Sequence, residues 1–418
     1  VLYEVRDPVH GFIVYDELER DLINSKPFQR LRRVKQLALT HMVYPGAVHT
    51  RFEHSLGVME VASQLFDTMM QKGGHELLRA LGIRREGERE RLRRVLRLAA
   101  LLHDVGHPPF SHAPEEGLLP GGHEAMSAKL IREAEIRAII EDQHYRAGIR
   151  VEEDIIPVAV GVKHSNARLT AVHQFLSELI TGVFGADRMD YLLRDSLHTG
   201  VKYGQFDLHR LIHTLTFVQD PKTQDPFVAL EVGGVHAAEG LILARYFMFQ
   251  QVYHHHVRRM YDQHLRQALR DLLPDGQWPL APDEYVAWDD SRVEAAIFHE
   301  ASAGGSRWAS ILANRLHFKL VFEAPEGDIQ RYLDQHSDLS ALLAERFGEE
   351  VYVDSQNRPL VRDRELNVRI LGRQGLSSWV TESRIFGVLP PLAFLRVYAD
   401  RRDDLIKDVR NALSRFVG

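Results

Sequence analysis

Through the first half of the chain, apolar residues return at helical spacing, and residues from about Leu18 to Tyr203 read as helix after helix. Phe52, Leu56, Met59, Ala62, Phe66 and Met69 share one face, and Thr50-x-x-Glu53 ahead of them is a capping-box pattern. The Gly73-Gly74 pair is expected to end that helix or a short continuation of it. From Arg84 to Arg94 the chain is densely charged, then turns apolar over Val95–Leu102; this reads as the solvated start of a buried helix rather than an RNA-binding patch. The apolar run ends at His103-Asp104, where Gly106, Pro108 and Pro109 break it. A loop is expected over Gly117–Gly122, with His123-Glu124 opening the next helix, and further helices over Ile155–Lys163 and Ala171–Gly182. Asp187, Tyr191 and Asp195 then fall on one helix face at i, i+4 and i+8, leaving Met189, Leu192 and Leu193 for the core.

Two short strands, Leu215–Val218 and Phe227–Glu231, are expected across a Pro-Lys-Thr turn. One long helix from about Gly234 to Leu273 should follow, carrying Arg245, Tyr253 and the run His254-His255-His256. Beyond Pro274-Asp275-Gly276 the pattern changes to short helices alternating with strand-like pieces such as Lys319–Phe322 and Glu350–Val353. The expected division is therefore a helical core over 1–273 and a smaller mixed α/β lobe over 274–418.

Composition narrows the chemistry. The 418 residues carry 52 Lys+Arg against 58 Asp+Glu, a net charge of −6, so no global basic field draws in nucleic acid. An anionic ligand has to be attracted locally. There are no cysteines, so a metal has to be held by His, Asp or Glu. Neither a signal peptide nor a membrane-spanning run is visible, which makes the cytoplasm the expected location.

A histidine beside a carboxylate at the mouth of a buried helix builds a core poorly but suits a divalent ion. His107 and His112 add imidazoles close by, and Arg51-Phe52-Glu53-His54 supplies another histidine beside an arginine. Together His54, His103, Asp104 and Asp187 make a plausible all-N/O site. Each has a plainer reading too: a lone histidine is often a satisfied core residue, and Asp187 after Gly185-Ala186 is a possible N-cap.

Six segments follow in an order that resembles the HD-domain metal-dependent phosphohydrolases, specifically their deoxynucleoside triphosphate triphosphohydrolase branch. They are Asp7-Pro8-Val9-His10-Gly11, Phe28–Arg32, Lys35-Gln36-Leu37, Arg51–Gly57, His103–His112 and Asp187–Tyr191. The resemblance covers roughly residues 4 to 260 and implies a mainly α fold built on an HD-domain helical core. It implies metal binding by His54, His103, Asp104 and Asp187, the ion being manganese, magnesium, iron, nickel or zinc. The reaction implied is water attack on the α-phosphorus, releasing a deoxynucleoside and inorganic triphosphate. By the same resemblance His112 and His123 are candidates to protonate the leaving oxygen, with Glu115 orienting them. Arg51, Arg188, Tyr191 and Arg245 would clamp phosphates, with His107 nearby. Gln36, Leu37, Asp195 and Tyr253 would select deoxyribose, Leu37 and Tyr253 by crowding carbon 2′.

Relatives of this kind include nucleotide-activated homotetramers, so a homo-oligomer and deoxynucleoside triphosphate partners are implied. At the activator position Asn24 stands where a guanine-reading aspartate is found, while Gln29 and Arg32 are kept and His256 replaces a lysine. An asparagine lacks the two-acceptor edge that pairs best with guanine, which argues against guanine-triphosphate activation. A second metal on His254-His255-His256 is disfavoured, because consecutive helical residues diverge. Two other readings stay open. One is an HD phosphohydrolase for another phosphoester, a nucleoside monophosphate, a guanosine alarmone or a nucleic-acid end, though Arg51, Arg188 and Arg245 favour a polyphosphate over a monophosphate. The other is a nucleotide sensor or single-strand nucleic-acid binder, which the acidic charge does not favour.

Overall fold

The computed structural model describes residues 1–84, 87–145, 148–359, 368–385 and 388–417, with side chains to residue 414. An antiparallel hairpin opens the chain, β1 (Tyr3–Asp7) pairing with β2 (Gly11–Tyr15). Helix α1 (Glu17–Asn24) follows, started by a complete capping box between Asp16 and Glu19. From Lys26 to Thr50 the backbone is a short helix and 3₁₀ turns rather than long helix. Helix α2 (Arg51–Ala80) begins at the expected Thr50/Glu53 box. It runs past the glycine pair to Ala80, with Gly73 alone off helical geometry at φ −162°.

Helix α3 (Glu88–Leu102) buries nearly all of its second half and ends at the His103-Asp104 doublet. Then come α4 (Gly122–Arg132), α5 (Ala171–Thr181) and α6 (Ala186–Thr199). The helix expected over Ile155–Lys163 is only the short turn Ile156–Ala159, entered through a π turn at Val151–Ile155. Helix α2 packs against both α3 and α6, which brings the doublet and Asp187 to its N-terminal end.

The expected strand pair is present as β3 (Leu215–Gln219) and β4 (Pro226–Glu231). The long helix after it is two helices, α7 (Val235–Met248) and α8 (His256–Leu272), parted by a π turn over Phe249–Tyr253 and a break at His254-His255. In a straight α-helix Tyr253 would stand about 80° round from Arg245. The wider π turn advances less per residue and returns Tyr253 to the same side.

Helix α9 (Asp290–Ala303), β5 (Lys319–Glu323), α10 (His336–Phe347), β6 (Val351–Arg358), β7 (Arg369–Gly372), β8 (Gly375–Ser378), β9 (Leu392–Ala399) and α11 (Asp403–Val417) complete the chain. The fold is mainly α, with small sheets in its C-terminal part. Strands β5, β9 and β6 form an antiparallel sheet with a core of its own, Leu395 and Val397 meeting Leu339, Leu343 and Val409. Strands β7 and β8 instead join β3 and β4, with β4 and β7 parallel. The larger core likewise takes Leu96 and Val235 together with Tyr285, Val293 and Trp379, so packing and pairing both cross position 274.

Glu178 of α5 joins that helix to the sheet by accepting the Val228 N–H at 3.0 Å. Burial pushes its carboxyl up to about 7, only partly offset by that bond. In the unfolded chain the group titrates near 4.3. The neutral form's contribution to stability is thus complete below that value and lost as pH rises through about 7. Glu178→Gln keeps the shape and stays neutral. Its stability relative to wild type is expected to rise by about 2 to 3 kcal/mol between pH 4.5 and pH 8 in denaturant unfolding. A pH-independent difference would exclude this origin.

Candidate metal centre and its cavity

The first turn of α2 presents His54, the end of α3 presents His103 and Asp104, and the first turn of α6 presents Asp187. Gly185 is the N-cap of α6 and makes no side-chain cap, so Asp187 is not spent on capping. Its Oδ1 lies 3.2 Å from His54 Nε2 and 3.9 Å from His103 Nε2. Asp104 faces the same nitrogens, Oδ2 at 3.5 Å from His54 and Oδ1 at 3.4 Å from His103.

Each imidazole is held from behind. His103 Nδ1 donates to the Ala100 carbonyl at 2.7 Å, and His54 Nδ1 donates to Asp190 Oδ2 at 2.7 Å. With the proton on Nδ1, each Nε2 keeps a lone pair aimed at the carboxylates. Both Nε2 atoms are buried and have no hydrogen-bond partner. Two orphaned imidazole nitrogens grouped with Asp187 fit a divalent cation, and Asp104 faces the same nitrogens. The charge balance points the same way. Burial disfavours charged histidines, yet Asp104, Asp187 and Asp190 outweigh it and push His54 upward, and Asp104 and Asp187 do the same for His103. Against burial, Asp104 is held below the usual carboxylate range by His103, Arg51 and His107, and Asp187 by His103 and His54. The donor set is short of positive charge, and Arg51 supplies part of it through an ion pair to Asp104.

Asp190, one turn along α6 from Asp187, is fully buried. It accepts from His10 Nε2 (2.6 Å), from His54, and from Arg194 Nε and Nη2 (2.9 and 2.8 Å). Arg194 also donates to Asp7 at 2.7 Å, and Asp7 accepts the Val9 and His10 N–H groups. This layer had no place in the sequence reading as a set of roles. The clue available was spacing: Asp190 and Arg194 are i, i+4, and Asp7-Pro8-Val9-His10 has the form of an Asx-type turn. Gly57 makes room for it, since a Cβ there would lie 1.9 Å from Asp190 Oδ1 and 2.5 Å from Arg194 Nη2.

Beside the doublet, His107 stacks on His123 with centroids 3.8 Å apart, and its Nε2 is 3.3 Å from Asp104 Oδ1. Glu115 bridges His112 Nδ1 (2.8 Å) and His123 Nδ1 (2.7 Å) and accepts the His123 N–H. Those bonds hold the Glu115 carboxyl well below its ordinary value, against burial. The geometry of this four-residue group would also admit a cation. Two of its imidazoles already spend Nδ1 on Glu115, however, which suits proton handling better.

A cavity of about 1180 Å³ opens over these groups. His103, Asp104 and Asp187 form its floor, and His107, His112 and His123 one wall. Arg51, Tyr191 and Arg245 line it as expected, as do Gln36, Leu37, Asp195 and Tyr253. Asp195 is locked, accepting from the Tyr253 hydroxyl at 2.6 Å and from His49 Nε2 at 2.7 Å. His49 was not singled out from the sequence. His54 and Glu115 lie behind the lining, and Arg188 stands apart from it, donating from Nη1 to the Val183 carbonyl at 2.9 Å.

An HD-domain family model matches residues 51–172, the span that holds His54, His103 and Asp104, and a model of the HD-associated region matches residues 206–382. Protein MJ1154 of Methanocaldococcus jannaschii is 36% identical over 97% of this chain and 80% of its own length. The chain belongs to the HD-domain phosphohydrolase family. A crystal structure of a hypothetical protein from Aquifex aeolicus superposes with a TM-score of 0.77 at 30% identity, covering 99% of this chain and 100% of that one. The deoxynucleoside triphosphate triphosphohydrolase SAMHD1 homolog of Dictyostelium discoideum is 30% identical over 69% of this chain and 53% of its own length. His103-Asp104 is thus the HD doublet, and the family's metal dependence agrees with the orphaned nitrogens around it.

Asp187→Ala and Asp104→Ala are each expected to abolish bound metal in elemental analysis and turnover with it, while circular dichroism stays that of the wild type. Gly57→Ala should cost about 3 kcal/mol in unfolding free energy, because its methyl has to displace a buried ion pair. A change within 0.5 kcal/mol would show that the Asp190 layer yields freely.

Proposed function

We propose that this HD-domain protein hydrolyses deoxynucleoside triphosphates to a deoxynucleoside and inorganic triphosphate. The observation that carries the reading is the locked Tyr253–Asp195–His49 group, set beside Leu37 in the same cavity as the histidine–aspartate donor set. Asp187 and Asp195 are two turns apart on α6, about 12 Å along its axis, so one face of one helix serves both ends of a nucleotide.

His54, His103, Asp104 and Asp187 would hold the ion, which when bound polarises a phosphoryl oxygen and lowers the pKa of water. Arg51 and Arg245 offer guanidinium groups to the phosphates, and Tyr191 its hydroxyl. The attacking water forms a bond to the α-phosphorus and the bond to the 5′-oxygen breaks. His112, held through Nδ1 by Glu115, gives that oxygen a proton from Nε2 in its imidazolium form, which burial opposes and Glu115 favours. The proton released by the attacking water restores it. Asp195 accepts from a 3′-hydroxyl, and the Tyr253 ring crowds carbon 2′. An added ribose hydroxyl would meet that ring without a partner. The name borne by the Dictyostelium relative supports this substrate class. The reading includes a homo-oligomer. Asn24 and Arg32 are exposed, and Arg32 lies 3.5 Å over the Phe52 ring, which leaves this surface open to a partner subunit or a nucleotide.

The test is product analysis with manganese and each deoxynucleoside triphosphate, alone and in mixture. Inorganic triphosphate and deoxynucleoside are expected, and turnover confined to mixtures would reveal activation. Absence of triphosphate in every mixture would overturn the substrate assignment in favour of monophosphates or alarmones. Tyr253→Ala is expected to lower the preference for deoxyribonucleotides over ribonucleotides by about tenfold or more, read as the ratio of kcat/KM values. An unchanged ratio would remove Tyr253 from the gate.

A further inference from the structure

Asp290 opens α9, far along the chain from the residues discussed above, and is 2% exposed. It does not cap its own helix, since Asp289 takes that place and accepts the Arg292 N–H at 3.0 Å. Its two oxygens go elsewhere. Oδ2 accepts the Lys35 N–H at 2.9 Å and Oδ1 accepts the Phe110 N–H at 2.8 Å. Lys35 precedes Gln36 and Leu37 of the sugar wall, and Phe110 is two residues before His112.

The two loops need holding. Phe110 and Ser111 have φ of 60° and 58°, a left-handed conformation that costs a non-glycine residue on the order of 1–2 kcal/mol. Ser111 Oγ donates to the Lys35 carbonyl at 2.6 Å and accepts from Arg51 Nε at 2.8 Å. Lys35 is thus tied at its N–H by Asp290 and at its carbonyl by Ser111. Burial pushes the Asp290 carboxyl up to about 7, against the two N–H bonds and the Lys35 ammonium. A buried carboxylate kept at that cost marks a group used for more than packing.

We infer that Asp290 is a positioning residue, a clasp from the HD-associated region that fixes the Leu37 wall and the His112 loop relative to each other. Both loops move together when the clasp is lost. A displacement of about 1 Å at such a site lowers turnover by up to about 100-fold. The expected effect on substrate choice rests on the functional reading above, whereas the coupling of the loops does not.

The experiment compares full-length, manganese-loaded wild type, Asp290→Asn and Val293→Ala by amide hydrogen exchange and steady-state kinetics. Val293 is fully buried on the same helix and touches neither loop through hydrogen bonds, so it serves as the control for simple destabilisation. Asparagine keeps the shape but turns an NH2 toward one of the N–H donors. In Asp290→Asn, exchange over 34–37 and over 108–112 is expected to quicken together by about tenfold or more, with kcat lowered about 10- to 100-fold and metal content unchanged. Val293→Ala should lower Tm and leave both loops and kcat as they are. Quickened exchange confined to α9, or an Asp290→Asn profile no different from that of Val293→Ala, would overturn the proposal. Should Asp290→Asn not fold, the wild-type amides decide. Lys35 and Phe110 N–H held by one carboxylate should exchange with matching protection, and a difference beyond tenfold would overturn the clasp. If the wild type splits no deoxynucleoside triphosphate, the functional reading fails while the exchange data still judge Asp290.

Discussion

Burying a carboxylate without partners costs several kcal/mol, and Asp190 is buried completely. It is tolerated because His10, His54 and the Nε and Nη2 groups of Arg194 donate to it. The same bonds decide what the cavity floor can do. By taking the proton of His54 at Nδ1, Asp190 leaves the Nε2 lone pair on the side of Asp104 and Asp187. Arg194 then carries the constraint to Asp7 and so to the N-terminal hairpin. A strand pair far from the donor set in sequence therefore stands directly behind it in space.

What could be read in advance was whatever depends on near neighbours along the chain. The Thr50/Glu53 box starts a helix where it should, because capping needs only four residues. The i, i+4, i+8 placement of Asp187, Tyr191 and Asp195 holds, because one helix contains all three. The β3–β4 pair was legible for a similar reason, two β-rich runs parted by a short turn. His49 shows the opposite case. It meets Asp195 across 146 residues, and nothing around His49 in the sequence announces a partner. The single helix expected over Gly234–Leu273 also failed, since apolar periodicity does not register one π turn. Arg188 lies outside the cavity lining although its neighbours face it, a matter of side-chain direction that spacing does not determine.

The two matched regions do not divide the labour as metal site and appendage. The HD span supplies His54, His103 and Asp104, yet Arg245, Tyr253 and Asp290 come from the HD-associated span. Strand β7 pairs with β4 across more than a hundred residues, and the larger core takes side chains from both spans. Cutting between them would expose apolar surface and open the cavity at once. The three-stranded sheet keeps a core of its own, yet Tyr398 packs with Met260 and Phe318, and Asp354 pairs with Arg259 of α8.

The π turn before Tyr253 carries a consequence for how such a pocket can vary. Composition is not the only handle on the proposed sugar gate, because its aim depends on the helix geometry between Arg245 and Tyr253. Relaxing Phe249–Tyr253 to an ordinary α-helix at unchanged length would swing the phenol by about 80°. Asp195 would keep His49 and lose its hydroxyl partner. Chains of this fold can thus aim or withdraw a bulky side chain by a change of helix geometry alone, with every wall residue left in place.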